Sequence, residues 1–218
     1  MLCQALSIAR KHPIDPHMGH ILMMLGNMHL LEIHFLDGES QLTPEQQRTK
    51  TRLLKRTKYV LQQALAVNQI ENETKVEAHI ALAEAMLQSG DAEQAHQQAL
   101  QARQKIDQFE LAWLNPRLER LMGSILAKLG KFEQAYQHFE QGIRFAQKYG
   151  AKLENAYTQY TYGMVLLQHL AANPDRRRQG RHYLHEALEA FTNCQAVLDI
   201  EMAKHALALY GDDENLSS

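Results

Sequence analysis

The chain has 218 residues, 45% of them apolar, with 23 basic and 25 acidic side chains and a formal charge of −2. That is ample material for a continuous core, and the near balance of charge argues against a phosphate backbone as the main partner. Two cysteines, Cys3 and Cys194, give no disulfide framework and suit a reducing interior, so the cytoplasm is the expected location.

In chain order, residues 1–13 read as the tail of a helix, with Ala5, Leu6 and Ala9 on one side and His12-Pro13 as its stop. Met1 to Ala9 is mildly apolar but too short for a signal peptide or a span, and no other segment suits a bilayer. Residues 15–69 are predicted as an extended hairpin, opened by Asp15-Pro16 and broken by Asp37-Gly38. Thr43-Pro44-Glu45-Gln46 restarts it, with a capping threonine and a glutamine three residues on. Both of its helices are expected to project past their neighbours. Three further hairpins are predicted over 74–107, 115–149 and 155–192, with caps expected at Thr74, Asp91 and Asn115 and an inserted turn around Asn173-Pro174-Asp175. An amphipathic helix over 196–210 then covers the last hairpin, and 212–218 is expected to be a disordered tail.

The hairpins are copies. A shift of forty residues lays Gly90, Glu93, Gln94, Ala95, Gln97 and Gln101 onto Gly130, Glu133, Gln134, Ala135, Gln137 and Gln141. Small residues also recur at a similar interval, from the second helix of one hairpin to the first helix of the next. The pairs are Ala5 to Gly26, Ala64 to Ala83, Ala102 to Gly123 and Gly142 to Gly163. By this spacing residues 1–13 are a half repeat, the second helix of a hairpin whose first helix is missing.

Gly123, Leu126, Gly130, Phe132, Ala135, Phe139 and Gly142 follow the pattern of a tetratricopeptide repeat, as do Ala83, Met86, Gly90, Ala95, Ala99 and Ala102. The chain resembles that family over almost its whole length, in the long-period form of bacterial sensor and regulator regions. The resemblance implies an all-α fold, a right-handed α-solenoid of helical hairpins with a C-terminal capping helix, forming one domain over 1–211. It also implies binding of protein or peptide on a concave face, without catalysis. The alternative is the sensor region of a larger bacterial signalling ATPase or transcriptional regulator, holding a small effector or signalling peptide. A third class is self-assembly through the N-terminal half repeat.

The resemblance maps the concave face onto His20, Met23, Asn27 and Leu30; Glu77, Ile80 and Glu84; Arg117, Arg120, Ser124 and Lys128; and Tyr157, Tyr160, Met164 and Gln168. Arg117, Arg120 and Lys128 are spaced to share a helix side, with the tyrosines of the next first helix beside them, which suits an acidic or carboxylate-bearing peptide. The plainer reading is a solvated helix face. Gly26-Asn27 also matches a pair found in cochaperone arrays, but the preceding turn carries Leu22 and Met23 where those have lysine, so that reading is rejected.

Arg48, Lys50, Arg52, Lys55, Arg56 and Lys58 form a basic run without an acid, and Arg176-Arg177-Arg178 with Arg181 a second cluster in the inserted turn. Solvation accounts for both, and nucleic acid is not expected as a partner. The pairs His182 with His185 and His17 with His20 have no Cys or carboxylate completing a tetrahedral set, so no metal is expected. No phosphate loop, nucleophile elbow or paired-carboxylate motif is present, so neither catalytic residues nor a cofactor are expected. Trp113 is predicted to pack between repeats.

Overall fold

The computed structural model describes residues 17–37, 42–169 and 173–210. The half repeat over 1–13, the Asp15-Pro16 start, the Gly38 break and the tail over 212–218 lie outside the described residues. Those described form nine α-helices and a short 3-10 turn, with no strand among them. The chain divides into two compact units, one through Leu114 and one from Asn115.

The first unit holds α1 (His17–Asp37), α2 (Pro44–Leu65), α3 (Asn72–Gln88), α4 (Ala92–Phe109) and the 3-10 turn Ala112–Leu114. α1 packs on α2, α2 on α3 and α3 on α4. Thr43 begins α2 with a complete capping box. Its hydroxyl accepts from the Gln46 amide at 3.2 Å and its own amide donates to Gln46 Oε1 at 2.8 Å. Met18, Leu22 and Met23 of α1, Val60 and Ala64 of α2 and Ala78 of α3 form one buried cluster. Eleven residues of α1 follow Gly26 and seventeen of α2 precede Leu61, its packing partner. The corresponding stretches flanking Gly123 and Phe139 are five and seven residues. The first hairpin thus continues about 9 Å further on one helix and about 15 Å on the other.

The second unit holds α5 (Asn115–Lys128), α6 (Phe132–Tyr149), α7 (Lys152–His169), α8 (Pro174–Asn193) and α9 (Val197–Leu209). α5 pairs with α6 and α7 with α8, while α9 lies on α8. Its core stacks Phe139, Tyr162 and Tyr183, with ring centres 5.1 and 4.7 Å apart. The small landmarks let helices approach closely. An added Cβ at Gly123 would stand 2.6 Å from the Phe139 ring, and one at Gly163 would stand 2.7 Å from the Gly180 carbonyl oxygen.

The forty-residue repeat is visible in the backbone. Gly90 and Gly130 both adopt positive φ, +85° and +74°, at the turn of their hairpins. The next amide donates five residues back in each, Asp91 to Met86 at 3.0 Å and Lys131 to Leu126 at 2.9 Å. This left-handed cap satisfies the last helical carbonyls, and glycine takes it without a Cβ clash. Ala95 and Ala135, forty residues apart, are both fully buried.

Three local readings need correction. Thr74 does not cap α3, which starts at Asn72; Thr74 is already inside the helix and buried, its hydroxyl 3.5 Å from His20 Nδ1. Trp113 sits in the 3-10 turn and is 47% exposed instead of packed away. The second arginine cluster is helical, because Asn173 accepts from the Asp175 and Arg176 amides and Pro174 occupies the first helical position, starting α8 there.

Candidate functional site

Within the second unit, α5 and α7 bring cations and tyrosines together. The Arg120 guanidinium lies 5.6 Å from the centre of the Tyr157 ring, and Nη2 donates to Glu154 Oε2 at 3.3 Å. The two charged side chains are 19% and 32% exposed, so solvent screens them less than a surface pair. The Tyr157 hydroxyl donates to Asp199 Oδ2 of α9 at 3.1 Å. Burial first, and the Asp199 charge second, push the Tyr157 phenol up to about 12, so it remains a neutral donor near neutral pH. Tyr160 is likewise pushed up to about 12, by burial, and clusters with Met164, Leu207 and Tyr210. The α7 flank that carries these tyrosines is therefore shared with α9.

Around this centre, Ser124 turns its hydroxyl onto the Arg120 carbonyl at 3.1 Å, a bond within its own helix. Lys128 and Gln168 are exposed; Arg117 is half-buried and engaged.

In the first unit His20 is exposed, and Glu77 and Glu84 are half-buried and engaged. Asn27 donates from Nδ2 to Met23 Sδ at 3.0 Å. Met23, Leu30 and Ile80 do not line a wall: they are 2%, 8% and 0% exposed. The three-residue step from His20 to Met23 reaches the edge of the inward stripe of α1, and an apolar thioether there goes into the core.

The basic run lies on α2. Gln47, Arg48, Thr51, Arg52 and Lys55 line an open cleft of about 390 Å³. In the other cluster Arg176 stacks on Tyr136, its guanidinium 5.2 Å from the ring centre, so this arginine is tied to the hairpin core and not simply solvated. His182 Nε2 lies 3.4 Å from Glu186 Oε1. Among the described residues no three His, Cys, Asp or Glu side chains converge on a metal position.

Sequence reasoning missed a buried polar pair. Glu119 is fully buried on α5, and Oε2 accepts from His138 Nδ1 of α6 at 2.6 Å. The signal was present: Pro116, Glu119, Gly123 and Leu126 recur at three- and four-residue steps, the inward stripe of α5. Glu154 and Asp199 were also missed; each partner lies more than thirty residues away, beyond the reach of helical spacing.

No family model matches the sequence, and no curated protein matches it. Among solved structures, the chain is similar to BtubC (BKLC) from P. vanneervenii, with a TM-score of 0.53 and 15% identity. The match covers 95% of this chain and 84% of that one. At this identity the similarity is one of fold.

Proposed function

We propose that the chain is a right-handed α-solenoid of tetratricopeptide-like hairpins that binds protein or peptide in the cytoplasm without catalysing a reaction. The observation that carries this reading is the Arg120–Tyr157 contact: a guanidinium stacked on an aromatic ring, held between two first helices, with a carboxylate already on its fork. Glu154 marks the chemistry the wall accepts, since an acidic side chain of a bound peptide makes the same charge-assisted bond. Helices hold both partners in place before a ligand arrives, which lowers the ordering cost of binding. Tyr157 keeps its proton and offers a face for apolar flanking residues.

The test is an array of acidic peptides probed with the wild-type chain and with the double variant Arg117→Glu/Arg120→Glu. Capture by the wild type and loss of at least tenfold in the variant support the reading. Equal capture by both rejects it.

A further inference from the structure

The face of α1 opposite its core is apolar. Ile21, Met24, Met28 and Leu31 are 47%, 50%, 62% and 57% exposed, and their three-, four- and three-residue steps put them on one stripe. The later hairpins show what such a stripe does. With Gly26 laid on Ala83, Gly123 and Gly163, the places of Ile21, Met24 and Met28 fall on Ala78, Ala81 and Ala85, on Leu118, Leu121 and Ile125, and on Thr158, Thr161 and Val165. Eight of these nine equivalents are buried, and Thr161 is half-buried.

In the two cases internal to a unit, the cover is the second helix of the preceding hairpin, seated by a small residue. Ala78 packs with Val60 and Ala64 of α2. Thr158 packs at Gly142 of α6, with Cγ2 3.2 Å from where a Cβ on that glycine would lie.

The sequence ahead of α1 carries the same seat in the same register. Gly142 precedes Thr158 by sixteen residues, and Ala5 precedes Ile21 by sixteen. Leu2, Ala5 and Ala9 then align with Phe139, Gly142 and Ala146 of α6 and with Ala99, Ala102 and Ile106 of α4, and those six residues form the inward stripes of their helices. Gln4 falls on Gln101 and Gln141.

We propose that residues 2–11 of this chain are the occupant of the α1 stripe: a second helix docked in cis, with Ala5 against Ile21 and its apolar side over Met24 and Met28. The register, and not apolarity alone, selects this occupant over a second copy.

The experiment uses the full chain with Cys3→Ser and Cys194→Ser, adding Ala5→Cys and Ile21→Cys. Mild oxidation is expected to close a disulfide within one chain in most molecules, the oxidant taking two hydrogen atoms, read as faster migration on a non-reducing gel with no other change in mass. A disulfide between two chains, or none in a chain whose circular dichroism matches the parent, overturns the proposal. An independent variant, Ala5→Arg, is expected to raise binding of anilinonaphthalene sulfonate at least twofold, because a long side chain at the seat lifts the segment off the stripe. Equal dye binding by Ala5→Arg and wild type overturns it as well.

Discussion

At the scale of single residues, the turns show where geometry outranks residue type. The second helices α4, α6 and α8 end on left-handed residues at Glu110, Gly150 and Gln195, with φ of 57°, 66° and 56°. In each, the following amide donates five residues back, from Leu111 to Ile106, Ala151 to Ala146 and Ala196 to Phe191. Only the middle position has glycine; the other two keep the cap against the Cβ penalty. Glu110→Gly and Gln195→Gly are each expected to raise the unfolding free energy by about 0.5–1 kcal/mol, measured by urea denaturation. At the landmarks the sign reverses. Gly163→Ala drives a methyl into a backbone carbonyl that has nowhere to go, whereas Gly123→Ala meets an aromatic ring. The first is expected to cost about 2–3 kcal/mol and the second less, by the same measurement. His79 adds a pH dependence. Burial lowers its pKa, as do Lys105 and Lys75, against a hydrogen bond to Gln98 that raises it; burial and Arg56 likewise lower His29. The unfolded chain therefore takes up these protons first as pH falls. Stability is full above the ordinary histidine value of about 6.5 and declines below it. His79→Gln is expected to flatten part of the loss between about pH 7 and about pH 5, as denaturation midpoints will show.

At the scale of helices, the hairpins were legible because their signals are local. In the two hairpins related by forty residues, a glycine at the turn, Gly90 and Gly130, and an alanine one turn into the second helix, Ala95 and Ala135, lie close together in the sequence. The phase of a helix about its axis was less legible. Met23 and Glu119 show the two errors: one placed on a wall but packed in the core, the other given no role but buried against His138. Spacing fixes which residues share a face; it leaves open where that face ends, and both residues are decided by the neighbouring helix. Contacts across the sequence were legible where the repeat aligns first helices, as with Arg120 beside Tyr157, but not outside it, as with Asp199 of α9 receiving the Tyr157 hydroxyl. The packing of α9 rests on Ala203 and Ala206, fully or almost fully buried against the last hairpin. Ala203→Arg is expected to detach that helix, seen as increased hydrogen exchange across 197–209 and greater exposure of Tyr157 and Tyr160. Retained protection would show that α9 is held by other contacts.

For the molecule as a whole, the proposed function is recognition by a wall built before the ligand arrives. In the first unit, Met23, Leu30 and Ile80 serve the core. In the second unit, Arg120, Glu154, Tyr157 and Asp199 form a chain of charge-assisted and aromatic contacts. A bound carboxylate competes with Glu154 for the same guanidinium. The most direct measurement is the dissociation constant of an acidic peptide selected on the array, titrated by fluorescence anisotropy into wild type, Glu154→Gln and Arg120→Glu. The account predicts several-fold tighter binding to Glu154→Gln, whose neutral amide competes less, and at least tenfold weaker binding to Arg120→Glu. The same affinity for all three chains would contradict it.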